Sequence, residues 1–228
     1  MMRKLLFLLA FAFAAMLQAA DFVTESRWIT ASEGDVNAQN TWIAFRKDIT
    51  LGSIPMKVEA SIAAASKYWL WINGEMVVFE GQLKRGPTPK DTYYDKVDIT
   101  PFLKKGNNEV AVLLWYFGKS GFSHNSSGKS GLLFSAQAIG LYSDSQWMSR
   151  IHPAYGTCGD PKPNGRLSES SIKYDGNKDL GEWQTGDIQS GFAASKEIGK
   201  AGSAPWNALV ERPTPLWKDF GPKKGKYT

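Results

Sequence analysis

Hydrogen-bonding side chains are concentrated in a glycine-rich segment, residues 118–131. A polyol site needs such side chains, because each sugar hydroxyl can both donate and accept a hydrogen bond. Connecting segments are also where binding residues are commonly found. We therefore predict candidate ligand-binding residues here, with a solvated hairpin without a ligand as the alternative. The candidates are Lys119, His124, Asn125 and Ser126.

A second candidate rim surrounds the proline turn at residues 86–90. Arg85 and Asp91 could hold adjacent hydroxyl groups while Tyr93 packs on a sugar ring. The alternative is an ordinary surface ion pair between Arg85 and Asp91, since such pairs are common and contribute little free energy.

Trp69 and Trp71 are two residues apart in the run Tyr68-Trp-Leu-Trp-Ile-Asn-Gly-Glu75. On a strand they share one face, because successive side chains point to opposite faces. An exposed pair of indoles could stack on a sugar ring. A strand covered on both faces would instead place the whole run in the core, and this is the interpretation we favour.

The triplet Gly128-Lys-Ser130 invites comparison with a phosphate-binding loop. Such a loop needs a glycine five residues before the Gly-Lys pair, and position 123 is Ser. The spacing therefore does not support nucleotide binding.

Metal sites are equally unsupported by the sequence. Residues 175–179 weakly resemble a calcium loop, but Leu180 stands where glycine is needed and Gly186 where a bidentate Glu is needed. His124, His152 and Cys158 are the only histidines and the only thiol, so a zinc site has no ligand set. We predict no cofactor and no metal.

No catalytic residue can be assigned from the sequence. A glycosidase needs two carboxyl groups on opposite sides of the scissile bond. No segment distinguishes such a pair among the 22 acidic residues.

The segments that would position these residues are short and rich in β-branched and aromatic residues. An Asn-Gly turn at residues 73–74 and a Gly-Asn turn at residues 106–107 separate alternating runs, and no long helical pattern is present. This pattern of short strands and turns predicts an all-β sandwich of the jelly-roll type with long loops. The predicted strands include residues 28–30, 41–49, 56–64, 75–80, 109–117, 131–142 and 170–174.

The first 20 residues contain Arg3 and Lys4, an apolar run over residues 5–17 and small residues at its end. This is typical of a secretory signal peptide, and the run is too short for a membrane span. Loss of Arg3 and Lys4 lowers the formal net charge from +5 to +3, which does not indicate a nucleic-acid partner. The single cysteine rules out an internal disulfide framework.

The block Asp98-Ile-Thr-Pro-Phe-Leu-Lys-Lys-Gly-Asn-Asn-Glu-Val110 resembles a signature of galactose-binding-like jelly rolls attached to large glycoside hydrolases. Together with residues 69–75, 118–131 and 204–217, it is similar to the N-terminal region of family 78 α-L-rhamnosidases, over about residues 25–220. The resemblance implies a galactose-binding-like fold. It also implies that the acid and base belong to an (α/α)6 barrel that this chain does not contain.

From this resemblance we predict that the chain is an exported, non-catalytic accessory domain. Its expected partner is a carbohydrate, such as a rhamnose-containing glycan, or a catalytic glycosidase domain; nucleic acid and membrane are not expected. The alternatives are a truncated α-L-rhamnosidase whose barrel is missing or encoded separately, and a structural interaction module. We expect a signal peptide at residues 1–20, the sandwich at 21–212 and a Pro/Lys-rich connector at 213–228.

Overall fold

The computed structural model describes residues 22, 24–82, 86–121, 124–158, 172–188, 190–218, 220, 221 and 225. The predicted signal peptide and Arg85 lie outside these residues, so both stay predictions. Over the described ranges, the helical structure is confined to three-residue 3-10 turns, such as Thr100–Phe102. None of the helices in this part of the chain has the length and apolar character needed to cross a membrane.

The described residues form fifteen strands. In chain order they are β1 (Arg27–Thr30), β2 (Thr41–Leu51), β3 (Glu59–Ala65), β4 (Lys67–Ile72), β5 (Glu75–Gly81), β6 (Thr92–Asp98), β7 (Gly106–Tyr116), β8 (Gly131–Ala136), β9 (Leu141–Tyr142), β10 (Met148–Ile151), β11 (Tyr155–Thr157), β12 (Ile172–Tyr174), β13 (Ala193–Ala194), β14 (Lys196–Lys200) and β15 (Leu209–Glu211).

The strands form two large sheets and one small hairpin. The first sheet has the order β14-β1-β8-β3-β6-β15, with β9 beside β8, and the second has the order β13-β10-β2-β7-β4-β5. β11 pairs with β12. The pairings are antiparallel except for β15, which runs parallel to β6. The predicted all-β sandwich is confirmed.

The core lies between the two large sheets and follows the period of two along each strand. In β4 the side chains of Tyr68, Leu70 and Ile72 are fully buried in it. In β7, which pairs with β4, Val110 and Val112 face the same core. The outer face of the first sheet carries a second buried cluster, in which the Trp28 and Trp206 rings stack 4.1 Å apart.

The Asn-Gly turn predicted between two strands is confirmed between β4 and β5. Asn73 and Gly74 have φ angles of 52° and 79°, the left-handed values that a two-residue hairpin turn requires and that these residue types tolerate. The Asn73 amide also donates to the Phe102 carbonyl oxygen at 2.8 Å, which fixes the turn against the neighbouring connection.

Most predicted strands differ from the observed ones by one to three residues at an end, and two of them differ more clearly. The strand predicted from residue 56 begins at Glu59, and the Met56 side chain is 98% exposed. The strand predicted over residues 131–142 is interrupted by the 3-10 turn Gln137–Ile139, after which Gly140 adopts a φ of 62°. Alternation alone did not show this turn, because residues 136–139 remain apolar enough to continue a strand.

Candidate functional site

Both segments predicted to bind a ligand lie at the same end of the sandwich. Tyr116 at the end of β7 pairs with Thr41 at the start of β2, and Gly131 at the start of β8 pairs with Ala65 at the end of β3. The antiparallel pairing of β3 with β6 brings the start of β6 there as well. We call this end the loop end; its described connections are residues 31–40, 82, 86–91, 117–121 and 124–130.

The loop end contains a cleft of about 420 Å³ between β1, β14 and the connection that precedes β8. Part of its lining is apolar, from residues such as Val36 and Ile198. Its polar groups come from Ser32, Asn37, Lys129, Ser130, Lys196 and Glu197.

Hydrogen bonds hold the two walls of this cleft in place. Asn37 Oδ1 accepts the backbone N–H of Ser130 at 2.9 Å, and the hydroxyl groups of Ser130 and Thr30 share a buried hydrogen bond at 2.9 Å. The Glu197 carboxylate accepts the backbone N–H of Ser145 at 3.1 Å. The polar side chains of the cleft therefore stand on an ordered framework.

The predicted residues of the 118–131 segment have different environments. Asn125 is exposed, whereas Lys119 and Ser126 are partly buried. Ser126 Oγ lies 3.3 Å from the Tyr116 hydroxyl. The lining of the 420 Å³ cleft comes from Lys129 and Ser130 of this segment rather than from these residues. A binding role for the predicted residues stays a prediction.

His124 is the buried member of this group, with 4% of its surface exposed. Its Nε2 atom shares a hydrogen bond with Ser66 Oγ at 3.2 Å, and its ring stands edge-on to Phe117 at 4.9 Å between centroids. His124 thus joins the 117–130 connection to the junction between β3 and β4. The sequence alone indicated hydrogen-bonding capacity at this position but not burial.

The second predicted rim is only partly described. Asp91 accepts a hydrogen bond from the Thr88 hydroxyl at 2.6 Å, an Asp–Thr contact within the turn itself. Tyr93 lies in β6, partly buried, in register with Val210 of β15. Because Arg85 lies outside the described residues, the predicted pair with Asp91 is not tested.

A buried ionic cluster at the loop end was not predicted. Asp95 Oδ2 accepts the Tyr68 hydroxyl at 2.8 Å and the Gln82 backbone N–H at 3.1 Å, while Arg212 Nε donates to Asp95 Oδ1 at 2.5 Å. Burial, and secondly the Asp95 carboxylate, raises the pKa of Tyr68 well above its ordinary value. The sequence did hold a signal for this cluster. Asp95 is two residues before the apolar Val97, so the two side chains share a face of β6 and both point into the sandwich.

The interpretation of Trp69 and Trp71 as core residues holds in part, because both pack against a further buried cluster. They lie on the outer face of the second sheet and are partly buried. Trp69 stacks with Trp42 at 5.3 Å, and Trp42 stacks in turn with Trp115 at 4.6 Å and with Tyr155 at 4.1 Å. The sequence could not show that a distant segment adds a second apolar layer over this face.

That layer is formed by the cover segment, residues 180–188 and 190–192. Trp183 is 4% exposed and stands edge-on to Trp71 at 6.0 Å. Arg46, 1% exposed, donates to the carbonyl oxygens of Trp183 at 3.1 Å and Gly186 at 2.7 Å. A buried guanidinium group therefore fastens the cover segment to β2.

The acidic groups near the loop-end cleft lie in two separate places. Among the residues that line it, Glu197 supplies the one carboxylate. Glu33 lies in a neighbouring cleft of about 310 Å³, on the far side of Ser32 and Gly34. Hydrolysis of a glycosidic bond requires two carboxyl groups facing one bond. Within the described ranges, no three His, Cys, Asp or Glu side chains are grouped so as to hold a metal ion.

The two sheets and their loop end define a galactose-binding-like β-sandwich. The chain matches the structure of a family 78 rhamnosidase from Bacillus sp. GL1 with 27% identity and a TM-score of 0.68, over 84% of this chain and 20% of that chain. An α-L-rhamnosidase from Aspergillus terreus matches with 22% identity and a TM-score of 0.58, over 81% of this chain and 22% of that one. The predicted resemblance to family 78 α-L-rhamnosidases is thus confirmed.

A third structure, a Streptomyces avermitilis α-L-rhamnosidase complexed with L-rhamnose, matches with 19% identity and a TM-score of 0.54, over 82% of this chain and 16% of that chain. The chain therefore spans about a fifth of the length of the rhamnosidases it matches. Neither a protein-family model nor a curated protein matches the sequence.

Proposed function

We propose that this chain is an exported, non-catalytic accessory domain of an α-L-rhamnosidase-like protein, and that it binds carbohydrate in the cleft at its loop end. The observation that carries the proposal is the match to the Bacillus sp. GL1 rhamnosidase, which covers 84% of this chain and a fifth of that enzyme. A domain that accounts for so small a share of an enzyme can assist the reaction without performing it.

The chemistry of the cleft supports a sugar ligand. Its walls offer hydroxyl, amide, ammonium and carboxylate groups, together with the apolar side chains of Val36 and Ile198. A sugar ring needs both kinds of surface, since hydroxyl groups line its edge and C–H groups its faces. The volume of about 420 Å³ is in the range of small-molecule sites and is large enough for one or two sugar rings.

Export is the part of the proposal that rests on sequence alone. Residues 1–20 have the basic start, the apolar run and the small residues of a signal peptide. N-terminal sequencing of the protein secreted by a bacterial host would test it, and a mature product that begins at Asp21 is expected.

The first ligand to test is rhamnose, because the matched enzyme is a rhamnosidase. Calorimetric titration of the purified protein with L-rhamnose and with a rhamnose-containing tetrasaccharide should give saturable binding. Absence of heat at tens of millimolar of both ligands would contradict carbohydrate binding, and docking of a catalytic domain would become the role to examine.

The absence of catalysis is tested separately. We expect no release of 4-nitrophenol from its α-L-rhamnoside by the purified chain. Turnover that persists through repurification and disappears when one Asp or Glu is substituted would overturn the non-catalytic assignment.

A further inference from the structure

The outer face of the second sheet is only partly covered. Leu180 and Trp183 of the cover segment are 8% and 4% exposed where they lie over β2 and β7. Towards the sheet edge, Met76 and Phe79 of β5 are 41% and 38% exposed. Large apolar side chains therefore continue across this face beyond the cover segment.

An irregularity in β5 directs these side chains outward. Leu70 of β4 pairs with Val78, but the next residue, Trp71, pairs with Met76, so Val77 is an extra residue in the edge strand. Val77 and Val78 both pack on the inner core. Met76 then faces outward opposite Trp71. A second register shift sets Phe79 and Glu80 together against Trp69, and Phe79 is 38% exposed there. Bulges at sheet edges commonly redirect side chains in this way.

Charged groups border this apolar surface at its loop-end side. Lys67 Nζ lies 3.4 Å from Glu80 Oε2 and 5.4 Å from the centroid of the Trp115 ring. The Glu80 and Lys67 side chains keep 30% and 14% of their surface exposed. At the other end of β5, Glu75 is exposed beside Met76. Hydrogen-bonding groups thus flank the rings along the strand direction.

We propose that Trp69, Trp71, Met76 and Phe79 form a platform on which a pyranose ring of a glycan stacks, with its hydroxyl groups bound by Lys67 and Glu80. This inference rests on the proposed carbohydrate-binding function but assigns a second site, distinct from the loop-end cleft. The C–H groups on one face of a sugar ring complement the negative faces of aromatic rings. A 6-deoxyhexose such as rhamnose adds a methyl group, which suits the apolar Met76 side chain.

The size of the platform favours a sugar over a protein partner. A stable protein interface buries roughly 800 Å² on each partner, and its centre is depleted of charge. Four apolar side chains bordered by the Lys67–Glu80 pair offer less area than that and place charge beside the rings. The platform lies on the second sheet, whereas the cleft is built on β1 and β14 of the first. Two sites on one domain would raise the avidity for an extended glycan.

The test is a titration of ¹⁵N-labelled protein with a rhamnose-containing tetrasaccharide, followed by NMR. The indole N–H signals of Trp69 and Trp71 are assigned with the variants Trp69→Phe and Trp71→Phe. We expect both signals to shift saturably. Phe79→Ala should weaken the affinity reported by these signals by about 3- to 10-fold, because one stacking surface is lost. Ile54→Ala, which removes an apolar side chain of similar exposure (40%) elsewhere, should leave it unchanged.

Four results are distinguishable. Shifts confined to cleft residues such as Asn37 and Lys129 would overturn the platform and leave the proposed function in place. Shifts confined to the two indoles would support the platform and contradict the cleft as the binding site. Indole shifts with the same affinity in Phe79→Ala and wild type would overturn the platform. No shift at any residue would overturn both. Phe79 is exposed, so a thermal unfolding curve of the variant verifies that its fold is retained.

Discussion

Arg212 donates its Nε–H to the Asp95 carboxylate at 2.5 Å and joins two segments that are 117 residues apart. The side chains are 6% and 2% exposed. Asp95 also accepts hydrogen bonds from Tyr68 and Gln82. The pair therefore fastens the chain after β15 to the middle of β6, within the sandwich.

Arg212→Ala should strongly destabilise the fold. Removal of one partner leaves Asp95 as a buried charge without its cation, which typically costs about 3–5 kcal/mol. Urea unfolding measures the change in the free energy of unfolding. Glu211→Gln is the matched control, because its pair with Lys96 is 55% and 28% exposed, and a loss of at most about 1 kcal/mol is expected. Equal losses in the two variants would contradict the role of the Asp95–Arg212 pair.

His124→Ala should lower stability, whereas Asn125→Ala should not. His124 is buried against Phe117 and hydrogen-bonded to Ser66, so its removal should cost about 1–3 kcal/mol. Asn125 is exposed, and a change within about 0.5 kcal/mol is expected. Thermal unfolding of both variants decides the matter. A wild-type melting curve for His124→Ala would show that the ring contributes little to the packing of the loop end.

Leu70→Ala should destabilise the fold more than Trp71→Ala does, although Trp71 has the larger side chain. Leu70 is fully buried between the sheets, where such a truncation costs about 2–5 kcal/mol. Trp71 lies on the outer face, partly buried, so its truncation should cost less. Denaturant unfolding compares the two variants, and a larger loss for Trp71→Ala would mean that the outer aromatic layer carries more of the stability than the inner core at this strand.

Burial of His152 should make the stability depend on pH. Burial lowers the pKa of His152 below its ordinary value of 6.5, with Asp179 opposing and Arg150 assisting the shift. The unfolded chain then binds a proton at a higher pH than the folded chain does. Stability is accordingly retained above about pH 6.5 and lost as the pH falls below it.

The measurement is the free energy of unfolding at pH 7.5 and pH 5.5 for wild type and His152→Gln. The loss on acidification should be smaller in the variant, because its residue 152 does not titrate. An equal loss in both proteins would assign the pH dependence to other groups.

The local structure of this fold could be predicted from the sequence far better than its long-range contacts. The alternation of Tyr68, Leu70 and Ile72 with two tryptophans predicted a strand with two distinct faces, and the Asn73-Gly74 turn predicted its hairpin. These signals act over a few residues. The burial of Trp42 and Trp115 depends on the cover segment, which lies more than 60 residues further along the chain. No local sequence pattern predicts a contact over that distance.

The candidate site was likewise predictable only in its local part. The 118–131 segment was predicted to carry polar binding groups, and two of its residues, Lys129 and Ser130, line the cleft. The opposite wall includes Ser32 and Asn37, which no sequence motif distinguishes. Asn37 faces Ser130 because β1 and β8 are neighbours in the first sheet, and strand order of this kind is set by packing across the whole sandwich.

The most direct test of carbohydrate binding at the loop end is calorimetric titration of wild type, Lys129→Ala and Glu197→Gln with a rhamnose-containing tetrasaccharide. Lys129 and Glu197 line the cleft, and loss of the Lys129 ammonium group or of the negative charge of Glu197 should weaken binding by about 1–3 kcal/mol in each variant. Lys105→Ala, which removes an exposed ammonium group at the opposite end of the sandwich, should bind as wild type does. Wild-type affinity in both cleft variants would contradict carbohydrate binding at the loop end.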